Sequence, residues 1–151
     1  MKREQVQIVI GRPAYKLSAV EDNYLKMITA HLSGQGSELF VEVRDKQGLC
    51  YAVQPVHVTA LEAGSWGIYI GAGADKKERA EKAILDILAR LSREGLTEDE
   101  FNRVKTMLDG QQQLSIQTNE DYAQFYSVPA LHGFVTGLAL LLGFALPPVI
   151  A

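Results

Sequence analysis

Ser37-Glu38-Leu39-Phe40-Val41-Glu42-Val43-Arg44-Asp45-Lys46-Gln47-Gly48-Leu49-Cys50-Tyr51-Ala52-Val53 is the stretch on which the reading of this chain turns. Its first part spaces Leu39, Phe40 and Val43 as one face of a short amphipathic helix, with Ser37 placed to cap it and Gly48 to close it. Its second part opens a strand at Tyr51. The helix delivers Arg44 to its C-terminal end, where a cation is favoured by the peptide dipoles, and Tyr51 is an ordinary strand aromatic. On chemistry alone, both residues are accounted for without any function.

Upstream, Gly34-Gln35-Gly36-Ser37 breaks a preceding helix that starts near Ser18, where Ser18 and Glu21 form a capping box. That helix places Val20, Tyr24, Met27, Ile28, His31 and Leu32 near one face. Before it, Gln5 to Gly11 alternates, with Val6, Ile8 and Ile10 on one side, as in a half-buried strand. Downstream, Leu49–Ala60 and Ser65–Ala72 read as strands joined through Glu62-Ala63-Gly64 into an antiparallel hairpin. Pro55 places the first of these at an edge or beside a bulge. Two helices follow, one starting from Asp75 and Glu78 and ending at Gly95, the next starting from Thr97 and Glu100. The order is strand, helix, short helix, strand, strand, helix, helix. It predicts an α+β fold, a mostly antiparallel sheet covered on one face by helices.

Bulk properties narrow the function classes. With 151 residues, 47% hydrophobic and 22% charged, the chain has the balance of one globular domain. A formal net charge of -3 gives no basic surface for phosphates, so nucleic acid is set aside as a partner. The single cysteine, Cys50, excludes an intrachain disulfide and reads as a small buried residue.

Metal chemistry finds no motif. A zinc hydrolase needs converging His or carboxylate ligands and a carboxylate base. His31, His57 and His132 are far apart, and neither H-E-x-x-H nor H-x-x-E-H occurs. Gly71 and Gly73 lack the third glycine of a dinucleotide loop, and Asp75 would face the phosphates, so the stretch reads as a plain strand-to-helix turn.

The run from Leu39 to Val53 resembles the signature near the start of the non-catalytic half of pitrilysin/insulinase-type zinc metallopeptidases, including the mitochondrial processing peptidases. Gly34-Gln35-Gly36-Ser37 before it, the hairpin after it and the Leu96-Thr97-Glu98-Asp99-Glu100 helix start extend the likeness over roughly residues 4 to 133. The resemblance implies one LuxS/processing-peptidase-like half of a two-half enzyme. One half of such an enzyme carries an inverted zinc motif, and the other lends an arginine and a tyrosine to the substrate backbone. Carried over, Arg44 would hold a peptide carbonyl and Tyr51 would support the transition state. No catalytic residue and no cofactor would lie in this chain, zinc belonging to the partner domain. The implied function is a substrate-clamping domain, inactive by itself; the alternative is a catalytically inert structural subunit of the same superfamily. The implied partners are a homologous zinc-bearing domain or subunit and a peptide, with self-association into a homo-oligomer left open.

The tail departs from the family. From Tyr122 to Ala151 there is no Asp, Glu, Lys or Arg, and Phe134–Ala151 is almost wholly apolar. A bilayer span needs about 20 apolar residues, and Pro147-Pro148 shortens this one. The expectation is a truncated domain over 1–133 and an apolar tail over 134–151 that does not anchor the chain. The N-terminus, Met1-Lys2-Arg3-Glu4-Gln5, has no apolar stretch behind it and is no secretory signal as it stands. A soluble cytoplasmic or periplasmic domain is expected.

Overall fold

The computed structural model of the protein describes residues 5–17 and 19–131, without the side chains of 128–131. The Ser18 cap, His132 and the tail from 134 lie outside the described residues. Residues up to Phe101 form one compact unit and those from Asn102 a second.

The first unit is built on three antiparallel strands, β1 (Gln5–Ala14), β2 (Cys50–Thr59) and β3 (Gly64–Gly73), in the order β1-β3-β2. The hairpin closes with Thr59 opposite Gly64, and β3, last of the three in the chain, takes the centre. Its alternation explains this position. Trp66, Ile68, Ile70 and Ala72 are buried on one face, and register places Ile10 and Ile8 of β1 opposite Ile68 and Ile70. This side meets α1 (Val20–His31), a π-helix (Leu39–Lys46) and α2 (Lys77–Glu94); Leu32, at the C-cap of α1, joins Leu39, Val43, Ala80 and Ile84 in a single cluster. Burial of the apolar stripes of three helices against one sheet face is the main source of stability. The other face of the sheet is left open, with Val9, Tyr51 and Val58 exposed.

Two local features differ from the sequence expectations. The short helix runs two residues beyond Arg44, to Lys46, and is wound as a π-helix. It places Leu39 and Val43 fully in the core while Arg44 stays at the surface. Ser37 accepts from the Phe40 N–H at 3.3 Å and donates to the Gly34 carbonyl at 2.8 Å, so its capping role holds. The Asp75–Glu78 box does not form. Ala74–Lys76 is a tight 3-10 turn that moves the start of α2 past Asp75, and no side chain caps that helix. Pro55 lies on an edge strand, as expected, in regular register with Ile68, and β2 has its bulge at Tyr51.

The helix ends behave as read. Gly95 closes α2 at φ 70°, its N–H donating to the Leu91 carbonyl. At the start of α3 (Glu98–Ser115) the Thr97 N–H donates to Glu100 at 2.9 Å and the Glu100 N–H to the Thr97 hydroxyl at 3.3 Å. The second unit continues α3 and adds α4 (Asn119–Leu131), opened by the equivalent Thr118–Asp121 exchange.

Candidate functional site

Two strand residues at the entry of β2 set the site. Cys50 pairs with Ala72 and Ala52 with Gly71, so Tyr51 is the extra residue of a β-bulge. The bulge shifts the alternation of β2 by one. Cys50 and Val53 both join the core side, opposite Ala72 and Ile70, while Tyr51 is expelled to the open face. There its ring crosses from the edge strand to the central one. A methyl carbon built on Gly71 would lie 2.5 Å from Cζ, 2.6 Å from Cε2 and 2.7 Å from the hydroxyl oxygen of Tyr51. The phenol end therefore rests on the bare backbone of Gly71, burying that glycine while Tyr51 itself stays 44% exposed. Among the described residues no group hydrogen-bonds its hydroxyl.

Arg44 lies in the last turn of the π-helix, exposed, with its guanidinium 4.5 Å from the centre of the Phe40 ring. A cation over an aromatic face is attracted by the ring quadrupole, which orders an otherwise free surface side chain. Its charge also reaches the strand entry. Burial pushes the Cys50 thiol up from its ordinary value of 9.0, and Arg44 pulls it the other way. Arg44 and Tyr51 are thus brought to the two ends of one short connection, with no hydrogen bond or ring contact between their side chains among the described residues.

That connection is braced on both sides. Gly48 turns it at φ 58°, and Lys76 donates to the Gly48 carbonyl at 2.8 Å. Glu38, at the start of the π-helix, receives both the Nε and the NH2 of Arg90 on α2, tying the helix to its neighbour. The Glu38 hydrogen bond, with the Glu38, Glu100 and Glu94 charges, holds the Arg90 guanidinium above its ordinary pKa against the cost of burial.

The histidines do other work. His57 Nε2 is 2.9 Å from Asp22, a fully buried carboxylate that also meets Thr59 at 3.4 Å and Lys26 at 2.8 Å. His31 is buried with Nε2 3.9 Å from Glu100. They sit on different elements with different carboxylates, and among the described residues no three His, Cys, Asp or Glu side chains group as metal ligands. These residues do not fit a zinc site. Nor do Gly71 and Gly73 form a phosphate loop, since both lie within β3.

Comparison with known proteins gives the family. The sequence profile described as the peptidase M16 inactive domain matches residues 1–108. The chain belongs to the peptidase M16 inactive-domain family. Its likeness to pitrilysin/insulinase-type peptidases and its α+β architecture both stand. An uncharacterized zinc protease of Bacillus subtilis is 29% identical over 116 residues, which are 76% of this chain and 28% of that protein. Another, of Streptomyces coelicolor, is 31% identical over 119 residues, 77% of this chain and 26% of the relative. This M16 domain thus spans about a quarter of the length of the curated relatives it matches. Among solved structures, an M16 inactive domain from Pseudomonas fluorescens superposes with a TM-score of 0.77 at 22% identity, over 91% of this chain and 32% of that one. A protease from Helicobacter pylori gives 0.80 at 17% identity, over 92% and 34%. Both show the fold.

The sequence reading named Arg44 and Tyr51 but missed Gly71 and the bulge. A glycine inside a strand is a signal of close approach. It was absorbed into the expected turn because Gly73 stands two residues on.

Proposed function

We infer that this M16 inactive domain holds a peptide backbone against a separate zinc-bearing half, to which the zinc of the enzyme belongs. Arg44, with its fixed fork of donors, grips a peptide carbonyl. Tyr51 donates its hydroxyl proton to a carbonyl oxygen as negative charge builds there. The observation that carries this reading is the Tyr51 hydroxyl, raised by the bulge onto the open sheet face with no partner among the described residues. A half-exposed phenol held against backbone is a donor ready for a ligand, and Arg44 at the other end of the same connection supplies the matching cation.

The test uses the complete enzyme. Tyr51→Phe is expected to lower kcat by about a hundredfold, and Arg44→Ala to lower kcat/KM, both with bound zinc unchanged. Unchanged turnover in both variants would sink the clamp and leave an inert structural subunit as the reading.

A further inference from the structure

Gly71 is not held to glycine by its backbone conformation. Its φ is not among the positive ones of the described glycines, and the three atoms nearest to a side chain there all belong to Tyr51. Gly67, two pairs earlier on the same face of β3, is different. A methyl there would strike the Ile10 carbonyl oxygen at 2.5 Å and the Gly11 Cα at 2.8 Å, both backbone of the adjacent strand. Gly67 is glycine for the sheet; Gly71 is glycine for the tyrosine.

We propose that Gly71 is a positioning residue for Tyr51: its missing side chain is the seat that lays the phenol across the central strand and aims the hydroxyl. The bulge and the seat act together. The bulge sends Tyr51 to the open face, and without a side chain at 71 the ring can settle inward over β3 instead of standing free at the sheet edge. With a methyl at 71 the ring must lift, because the three nearest atoms it would strike are at the movable end of the Tyr51 side chain. The fold survives such a change and the hydroxyl moves. Since a hydrogen bond to a developing oxyanion weakens steeply with misplacement, the consequence falls on the rate and not on the binding of the substrate.

This inference rests on the clamp role of Tyr51, and its test separates the two. In the isolated chain, the Gly71 α-proton resonances are expected upfield through the Tyr51 ring current, retained in Tyr51→Phe and lost in Tyr51→Leu and Gly71→Ala. In the complete enzyme, Gly71→Ala is expected to lower kcat by about tenfold to a hundredfold with KM and melting temperature unchanged. In a Tyr51→Phe background the same substitution is expected to have no further effect. An equal loss in both backgrounds, or a loss accompanied by a lowered melting temperature, makes Gly71 structural and overturns the positioning role while the clamp stands. If Tyr51→Phe by itself is fully active, the clamp reading fails and the positioning role with it. Absence of the ring-current shift overturns the seat directly.

Discussion

Asp22 is the most demanding single residue in the first unit. It is fully buried and holds His57, Thr59 and Lys26 through its two oxygens. Asp22→Ala strands the part-buried His57 and Thr59, and urea denaturation is expected to report a loss of about 2–3 kcal/mol. Nothing in the sequence announced the pair, because the two residues stand 35 positions apart and meet only when α1 lies over the hairpin. Cys50 offers a second test at this scale. With its thiol raised by burial and partly offset by Arg44, Arg44→Ala is expected to raise it further. The rate of alkylation at fixed alkaline pH then falls; a faster rate would place the guanidinium away from the strand entry. Arg44 and Tyr51 were legible as residue types at a spacing, whereas the bulge that aims one of them was not.

At the scale of elements, the helix starts separate what is local from what is not. Thr97 and Glu100 exchange hydrogen bonds within a single turn, so their identities alone were enough to find them. Thr97→Ala is expected to reduce stability by about 1 kcal/mol. Hydrogen bonding from the Thr97 N–H, then from its hydroxyl, with the charges of His31 and Arg90, outweighs partial burial and depresses the Glu100 carboxyl below 4.5. A depressed folded value means this contribution is complete above 4.5 and is lost as the pH falls through the lower folded value. Melting temperatures of Glu100→Gln and the parent chain should therefore converge in acid and diverge near neutrality; a gap independent of pH contradicts the assignment. Asp75 and Glu78 carry the same signature but form no box, since a 3-10 turn shifts the helix start. The Glu38–Arg90 pair is about a quarter to a third exposed, so Arg90→Met should cost less than about 1 kcal/mol by thermal denaturation.

In the first unit, one sheet face is filled by helices and the other carries the exposed Tyr51. The described residues offer no metal cluster, so the purified chain is expected to bind less than about a tenth of an equivalent of zinc and to cleave no unstructured peptide. Stoichiometric zinc with chelator-sensitive cleavage would contradict the inactive-half assignment of function. Among the described residues no helix is long and apolar enough to cross a membrane. The sequence by itself determined the α+β class, the order of the strands and helices through α3, and the family, because periodicity, turn residues and short motifs act over a few positions of the chain. Only the tertiary structure decided the strand order β1-β3-β2, the Asp22–His57 pair and the seat of Tyr51 on Gly71. Each of these depends on residues distant in sequence. Their contact is set by the packing of three helices on one face of the sheet and by a one-residue shift in strand register, which local preference does not encode.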